Sequence, residues 1–153
     1  MNEDAKKLQV SAIENGTVID HIPAVGLFNV IFILGLEKSG SMITFGTNFE
    51  SSKFGKKAII KVADYFFSDK EIDKIALVAP LAKLNVIKNY TVVEKRQVAI
   101  PDEAVGIVKC FNPQCITNHE KVITKFKVID KEKISLKCHY CQKITDREHM
   151  IIF

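Results

Sequence analysis

The chain has 153 residues, a length that allows one ordinary domain or two small ones. With 47% apolar and 26% charged residues, it has the composition of a globular protein, which excludes a disordered chain. The net charge of +4, from 22 basic and 18 acidic residues, is a mild excess that fits either an ordinary solvated surface or attraction for polyanions.

The sequence shows neither a targeting signal nor a membrane span. The first residues, MNEDAKK, are polar and lack the apolar core of a signal peptide. The most apolar run, Val25 to Leu36, contains Asn29 and Gly35 and is shorter than the roughly 20 residues that a membrane helix needs. We therefore expect a cytoplasmic protein with no membrane association. In that reducing compartment, cysteines are better explained as metal ligands than as disulfides.

The first third of the chain predicts extended segments followed by a helix. Residues 8–21 alternate as two short strands around the turn dipeptide Asn15-Gly16. Pro23 suits the first turn of a helix, and the next run is apolar on nearly all sides until Gly35. This pattern predicts a helix buried all round.

The following segments predict two more strands, a second helix and a hairpin. Residues 41–49 and 57–63 resemble strands. Ser68 and Glu71 form a capping-box pattern for a helix over Asp69–Val78, which Pro80 ends. Residues 84–95 predict a strand, a turn at Lys88-Asn89 and another strand.

The order strand, helix, strand, strand, helix, strand predicts an α+β fold. It is typical of a ferredoxin-like antiparallel sheet with two helices on one face. We expect the core to come from both helices and from the sheet. Its predicted members are Leu27, Phe28, Ile31, Phe32, Ile59, Val62, Ile72, Ile75, Ala76 and Val92.

Residues 96–103, RQVAIPDE, predict a linker to a small β-rich domain that contains all four cysteines. Cys110 and Cys115 form a C-x4-C pair, and Cys138 and Cys141 form a C-x2-C pair 22 residues later. Two such turns close a tetrahedral thiolate site, so we predict one structural Zn²⁺ per chain with no open coordination position. Unrelated buried thiols or two disulfides are the alternatives. We expect His119 and His139 to be surface residues.

Several polar residues of the first domain could recognise a nucleotide. Asp20 and His21 end a predicted strand, and Lys61, Asn85 and Lys95 lie in others. Lysine is a point-charge partner for phosphates, and a carboxylate can accept hydrogen bonds from ribose hydroxyls. Taken alone, each lysine is better explained as a solvated surface charge, and His21 as a strand-end histidine with no ligand.

Four motifs together resemble one known family over essentially the whole sequence, in order: LQVSAI-x-x-GTVIDHIPA, IKNYTVV, CFNPQCITN and CHYC. The chain is similar to the aspartate carbamoyltransferase regulatory chain of pyrimidine biosynthesis. The resemblance implies an allosteric domain over 1–97, a zinc domain over 103–153 and no catalytic activity. It also implies a regulatory homodimer that links two catalytic trimers, with the zinc domain contacting the catalytic chain, and a shared site for CTP and ATP.

The resemblance also implies roles for matched positions. Lys95 and His21 would contact the phosphates, and Asp20 and Lys61 the ribose and the adjoining base edge. Backbone groups of Ala12, Ile13 and Tyr90 would read the base amino group. The remaining pocket residues would be Val18, Asn85, Ile87 and Val92.

Two other classes of function compete with a regulatory subunit. The first is a zinc-ribbon nucleic-acid-binding protein, supported by a pI of 8.8 and by lysines in the last third. Those lysines are interspersed with acidic residues, few aromatics accompany them, and a zinc tetrathiolate would lower the net charge from +4 to +2. The second is an enzyme, but the sequence offers no combination of nucleophile, base and orienting group. We therefore expect neither nucleic-acid binding nor catalysis.

Overall fold

Strand β1 (Gly16–Pro23) is the middle strand of a five-stranded antiparallel sheet. The computed structural model describes residues 12–153, which divide into two units, one ending at Val98 and the other starting at Ala99. The remaining strands of the sheet are β2 (Ile43–Ser51), β3 (Gly55–Ala63), β4 (Lys83–Lys88) and β5 (Thr91–Gln97). Their order is β2-β3-β1-β4-β5.

This topology confirms the predicted ferredoxin-like α+β fold. The order β2-β3-β1-β4 is that of a ferredoxin-like sheet, and β5 adds a fifth strand beside β4. The turn between β4 and β5 consists of Asn89 and Tyr90, both with positive φ (52° and 64°), which matches the twist of a two-residue hairpin. The part of the predicted first strand before Ala12 lies outside the described residues.

Helix α2 (Asp69–Val78) has the predicted bounds, and its N-terminal cap is complete. The Ser68 hydroxyl accepts a hydrogen bond from the backbone N–H of Glu71 (3.3 Å), and the Glu71 carboxylate accepts one from the backbone N–H of Ser68 (3.0 Å). Ile72, Ile75 and Ala76 are buried, as predicted. Helix α1 (Leu27–Ile33) is shorter than its apolar run and is flanked by 3-10 turns at Ala24–Gly26 and Leu36–Lys38.

The prediction that α1 is buried on all sides is wrong. Leu27, Val30 and Ile33 are buried, and their spacing places them on one side of the helix. On the other side, Phe28 and Phe32 are 67% and 69% exposed. An apolar run without a polar side does not reveal which side meets the sheet, so these two predicted core residues are corrected to surface residues.

The exposed side of α1 continues onto β2. The Phe28 and Phe45 rings contact edge to face, with centroids 5.9 Å apart. Val25, Phe28, Phe32, Met42 and Phe45 are all exposed, and we call them the α1–β2 surface.

The core of the sheet is formed by one row of alternating side chains. Ile19, Ile60 and Leu84 are in register on β1, β3 and β4 and are buried. Two predicted core residues fall elsewhere: Ile59 alternates with buried Ala58 and Ile60 and is only half-buried, and Val92 is exposed. Ile31 is also only half-buried.

Gly16 begins β1 in a conformation that only glycine adopts readily. Its φ is +139°, and a Cβ at this position would lie 2.1 Å from the carbonyl oxygen of Val62. Any side chain would therefore push β1 away from β3 at the point where their pairing begins.

The second unit is β-rich, as predicted. Strands β6 (Glu103–Val105), β8 (Lys125–Asp130), β9 (Ser135–Cys138) and β10 (Ile144–Thr145) form a sheet in the order β10-β9-β8-β6. Strands β7 (Val108–Lys109) and β11 (Ile151–Ile152) form a two-stranded pair. Phe126, Ile134 and Leu136 are fully buried. Within residues 12–153, no helix is both long and apolar enough to span a membrane.

Candidate functional site

The helix-free side of the first sheet, which we call the open face, collects most of the residues predicted to bind a nucleotide. Thr17 and Ile19 are buried beneath the helices, so Val18 and Asp20 lie on the opposite face of β1. Val18 is in register with Lys61 on β3 and with Asn85 on β4. Lys95 on β5 is opposite Asn85. These residues form a row, Lys61–Val18–Asn85–Lys95, across four strands.

One end of the open face is apolar. Ile87 and Val92 are paired across β4 and β5, and Ile87 is also in register with Gly16. The backbone N–H of Tyr90 donates a hydrogen bond to the Glu14 carbonyl (2.9 Å). This bond ties the segment that contains Ala12 and Ile13 to the β4–β5 turn, at the same end of the open face as Ile87 and Val92.

The other end of the open face is charged. The Asp20 carboxylate lies 3.0 Å from the Lys57 ammonium and 3.5 Å from Nδ1 of His21. A register shift between Ile19 and Ile22 marks a bulge, within which His21 has φ +60°. Because of the bulge, His21 joins Asp20 rather than the core. Its buried Nδ1 has no hydrogen-bond partner among the described residues.

Two basic side chains of the open face, one at this end and one in the row, have lowered pKa values. Burial lowers the pKa of His21; Asp20 opposes this effect, and Lys57, Lys83 and Lys53 add to it. Burial also lowers the pKa of Lys61. An anion bound beside them would favour the charged forms.

Sequence reasoning missed two lysines of the open face. Lys57 contacts Asp20 directly, and Lys83 is in register with Asp20 on β4. The signal for Lys57 was available in the sequence, because Lys57 and Lys61 are four residues apart on the predicted strand 57–63 and therefore share a face. The predicted residues do come together on one face, and these two lysines increase its positive charge.

The four cysteines meet in the second unit. All four Sγ atoms lie within 4.8 Å of one another. Cys110 and Cys141 are 3.7 Å apart, as are Cys115 and Cys138, so each contact joins one pair of the sequence to the other. The distances suit thiolates around one metal ion rather than disulfides, whose sulfurs are about 2.05 Å apart.

Tight turns hold the cysteines in place. In the first turn the backbone N–H of Cys115 donates to the Asn112 carbonyl (3.0 Å), and the Asn118 amide donates to the carbonyls of Cys110 (3.0 Å) and Asn112 (2.8 Å). In the second turn the backbone N–H of Gln142 donates to the Cys138 carbonyl (3.0 Å). These turns preorganise the sulfurs.

Burial and hydrogen bonds change the pKa values of the four thiols in different directions. Burial raises the pKa of Cys110 and of Cys138. Burial also opposes ionisation of Cys141, but hydrogen bonds from the Lys143 backbone and the Asn112 side chain outweigh it and lower the pKa to about 7. Burial is likewise outweighed at Cys115, where bonds from Thr117, including a hydroxyl 3.2 Å from Sγ, lower the pKa. Four thiolates this close need a cation to neutralise them.

The two histidines nearest the cysteines, His119 and His139, contact groups other than the sulfurs. His119 is exposed, and its Nε2 is 2.8 Å from the Pro113 carbonyl. His139 is exposed, and its ring contacts Tyr140, with centroids 5.1 Å apart. Among residues 12–153, neither is grouped with the four cysteines.

A charged open face on one unit and four clustered thiols on the other define a metal-binding chain suited to ligand recognition. Its sequence matches two family descriptions: "Aspartate carbamoyltransferase regulatory chain, allosteric domain" over residues 8–99, and the metal binding domain of the same chain over residues 102–151. The chain belongs to the aspartate carbamoyltransferase regulatory chain family and is a regulatory subunit, not a catalytic one.

The chain is similar over nearly its whole length to proteins named as regulatory chains in several organisms. The regulatory chain of Phocaeicola vulgatus is 59% identical over 97% of this chain and 96% of its own length. That of Bacteroides thetaiotaomicron is 55% identical over 99% of both chains. That of Pyrococcus horikoshii is 50% identical over 95% of this chain and 97% of its own length. The similarity therefore covers both units.

Proposed function

We propose that this chain binds CTP and ATP on the open face and thereby regulates a catalytic aspartate carbamoyltransferase chain in pyrimidine biosynthesis. The observation that carries the proposal is the row Lys61–Val18–Asn85–Lys95 across the open face, with apolar Ile87 and Val92 on one side of the row and the charged group of Asp20, His21 and Lys57 on the other. A nucleoside triphosphate has the matching polarity, with a planar base at one end and about four negative charges at the other.

The base would lie at the apolar end. Ile87 and Val92 provide apolar contact there, and backbone carbonyls of Ala12, Ile13 and Tyr90 can accept hydrogen bonds from an exocyclic amino group. CTP and ATP both carry such a group, and an amino group buried without an acceptor is costly. The Tyr90 N–H is engaged by Glu14, which leaves its carbonyl as the group available for the base.

The sugar and phosphates would lie at the cationic end. Asp20 and Lys61 would contact the ribose and the adjoining base edge. His21 and Lys95 would contact the phosphates, with Lys57 and Lys83 close by. Binding an anion would also supply a hydrogen-bond partner for the imidazole of His21. Its Nδ1 has no hydrogen-bond partner among the described residues.

The metal that suits the four cysteines best is one structural Zn²⁺ per chain. A tetrahedron with Zn–S bonds of about 2.3 Å has S···S edges of about 3.8 Å. The two S···S contacts of 3.7 Å agree with that edge. Cys110, Cys115, Cys138 and Cys141 would complete the coordination shell and leave no position for a substrate, so the ion would stabilise the fold. Thiolates of this kind persist in the reducing cytoplasm, where we place the protein.

The second unit would contact the catalytic chain. Beside the first cysteine turn, exposed Phe111 and Ile144 line a cavity of about 300 Å³ together with Asn112 and Lys143. Exposed apolar side chains mixed with hydrogen-bonding groups are typical of protein interfaces. The catalytic chain is the partner that a regulatory chain of this enzyme implies, and we propose that it is present as trimers. We assign nucleotide binding to a domain over residues 1–97 and this contact to a zinc domain over residues 103–153.

A regulatory homodimer would form through the α1–β2 surface. Val25, Phe28, Phe32, Met42 and Phe45 are exposed together, and contiguous exposed apolar surface marks an interaction site. β2 is also an outermost strand among those described. A twofold dimer through this surface would join two regulatory chains, each carrying one second unit for a catalytic trimer.

The test combines assembly and regulation. The purified chain is mixed with the catalytic trimer of aspartate carbamoyltransferase, and the complex is isolated by size exclusion. Aspartate saturation curves are then recorded with and without CTP or ATP. We expect co-elution and a nucleotide-dependent shift of the curves. Failure to co-elute would contradict the proposed assembly, and curves unaffected by either nucleotide would contradict the effector role. A gel-shift assay with DNA and RNA should show no salt-sensitive binding.

A further inference from the structure

A cavity of about 260 Å³ lies on the helix-covered side of the same sheet, behind the open face. Its strand residues include Thr17, Val86 and Glu94, which are in register on β1, β4 and β5. Neighbouring residues on a strand point to opposite faces, so these three alternate with Val18, Asn85 and Lys95 of the open face. The cavity is therefore separated from the proposed nucleotide site by the thickness of one sheet.

The interior of this cavity is apolar and its wall is well supported. Phe66, Phe67 and Ile72 face Val86 across it. The segment that carries the two phenylalanines is anchored by Tyr65, whose hydroxyl donates to the Glu71 carboxylate (2.8 Å) and whose ring packs edge to face on Phe67 (5.0 Å). A supported wall keeps the space open without a ligand.

The rim of the cavity carries charges of both signs. Glu94 and Arg96 are two residues apart on exposed strand β5, a spacing of about 7 Å. Lys88 also lines the rim, with Nζ 5.7 Å from the centre of the Phe66 ring. Glu94 offers only acceptors, whereas Arg96 and Lys88 offer only donors. An occupant that satisfies both needs a cationic and an anionic group close together.

We propose that this cavity binds an α-amino acid with a large apolar side chain. The ammonium group would pair with Glu94 and the carboxylate with Arg96 or Lys88. The side chain would enter the space between Phe66, Phe67 and Val86. The volume is below the range of about 300–1,000 Å³ for drug-sized ligands, which suits a molecule of this size.

Amino-acid binding in this cavity does not require a nucleotide on the open face. The zwitterion sits at the rim, where water remains, and only the apolar side chain is desolvated. A carboxylic acid without an amino group would make no contact with Glu94, and a simple amine would make none with Arg96 or Lys88. Arg96 also contacts the exposed Asp69 carboxylate (3.5 Å), and its remaining donors are open to a ligand carboxylate. The arrangement therefore selects the amino acid over either half of it.

The first test uses the intact chain and isothermal titration calorimetry. L-Phenylalanine should bind with a Kd on the order of 1 mM, as expected for a small ligand with few buried atoms. 3-Phenylpropanoate, which lacks the ammonium, and phenethylamine, which lacks the carboxylate, should each bind roughly tenfold more weakly. L-Aspartate, whose side chain is charged, should not bind measurably. Equal affinity for all four compounds, or no binding of phenylalanine, would overturn the proposal.

A second arm separates this site from the open face. Saturating CTP should leave phenylalanine bound, whereas displacement by CTP would mean that the amino acid occupies the open face and that the proposal is wrong. Absence of CTP binding would count against the nucleotide site alone. Glu94→Gln and Arg96→Gln should each weaken phenylalanine binding on the order of tenfold. Glu37→Gln, which removes an exposed carboxylate remote from the cavity lining, should not. Unchanged phenylalanine affinity in both rim variants would refute the proposed amino-acid site. If the two variants fail to fold, the comparison of the four compounds on the unsubstituted chain tests the proposal instead.

Discussion

At the scale of single residues, the open face depends on a few charged side chains that four strands bring together. Strict alternation along β1 would place His21 toward the core and Ile22 on the open face. The bulge between Ile19 and Ile22 reverses this, so Ile22 is fully buried and His21 lies beside Asp20. The motif resemblance identified His21 as a site residue, but its geometry could not be predicted, because a bulge is decided by pairing with another strand.

Replacement of Lys95 by alanine should weaken CTP and ATP binding alike, because both nucleotides present the same triphosphate. We expect a loss of about 1.5–3 kcal/mol, typical of a hydrogen bond to a charged group. Calorimetry on the intact chain measures this. Lys70→Ala removes an exposed charge of the same kind on α2 and serves as the control. Unchanged affinity of the Lys95 variant for both nucleotides would contradict its role.

The pH dependence of nucleotide binding should report His21. Burial lowers the pKa of His21, with Asp20 opposing and the neighbouring lysines assisting, so the ring is mostly neutral at pH 7. A lowered pKa means that this group's contribution to stability is present above the unfolded pKa, near 6.5, and is lost as pH falls through the folded value. A bound triphosphate favours the protonated ring, so CTP affinity should rise as pH falls below neutrality.

The control for this pH effect uses two glutamine variants. CTP titrations between pH 6 and pH 8 should show a smaller gain in affinity for His21→Gln than for the unsubstituted chain. His119→Gln, which changes an exposed histidine of the second unit, should keep the full gain. Titration of the nucleotide itself is common to all three, so equal pH profiles would exclude His21 as the source.

At the scale of secondary-structure elements, sequence reasoning succeeded where the deciding interactions are local. The capping box of Ser68 and Glu71 predicted the start of α2 and Pro80 predicted its end, and the turn signal at residues 88–89 predicted the β4–β5 hairpin to within a residue. The orientation of α1 failed, since Phe28 and Leu27 are equally apolar and only packing against the sheet distinguishes them. Which lysines share the open face likewise depends on strand register.

Strand β1 should be disrupted by the smallest possible side chain at its first residue. Gly16→Ala places a Cβ at 2.1 Å from the Val62 carbonyl oxygen and imposes a strained φ, so we expect a loss of at least about 2 kcal/mol in the free energy of unfolding. Urea denaturation provides the measurement. Gly40→Ala is the matched control, because a Cβ there meets no atom within 4 Å. Equal stability of the two variants would show that β1 tolerates the shift.

At the scale of the whole molecule, the chain divides after Val98 into units with different sources of stability. The first unit has a core drawn from both helices and the sheet and contains no cysteine. The second has about 50 residues, too few to bury a large core, and its sheet strands are short. Its folding should therefore depend on the metal.

Removal of the metal should separate the two activities. A mercurial reagent would bind the four thiolates and release the ion, and metal analysis should find about one zinc per chain beforehand. Treated protein should lose binding to the catalytic trimer but keep CTP affinity, since the predicted nucleotide contacts end at Lys95. Paired titrations with CTP and with the trimer test this. Loss of both activities would show that the two units are not independent. Retained trimer binding would show that the second unit does not need its metal to contact the catalytic chain, which would contradict the role proposed for it.

The position of β5 gives both faces of the sheet a common dynamic element. All seven of its residues are exposed, and it is an outermost strand among those described. Lys95 points to the open face while Glu94 and Arg96 line the cavity behind it. Such a strand opens more readily than the buried centre of a sheet, so its amide hydrogens should exchange early. A ligand bound on either face must keep β5 paired with β4. Each ligand would therefore lower the conformational-entropy cost of ordering β5 when the other ligand binds. Slower amide exchange in β5 would be the shared signature of the two sites and a physical route by which they could influence each other.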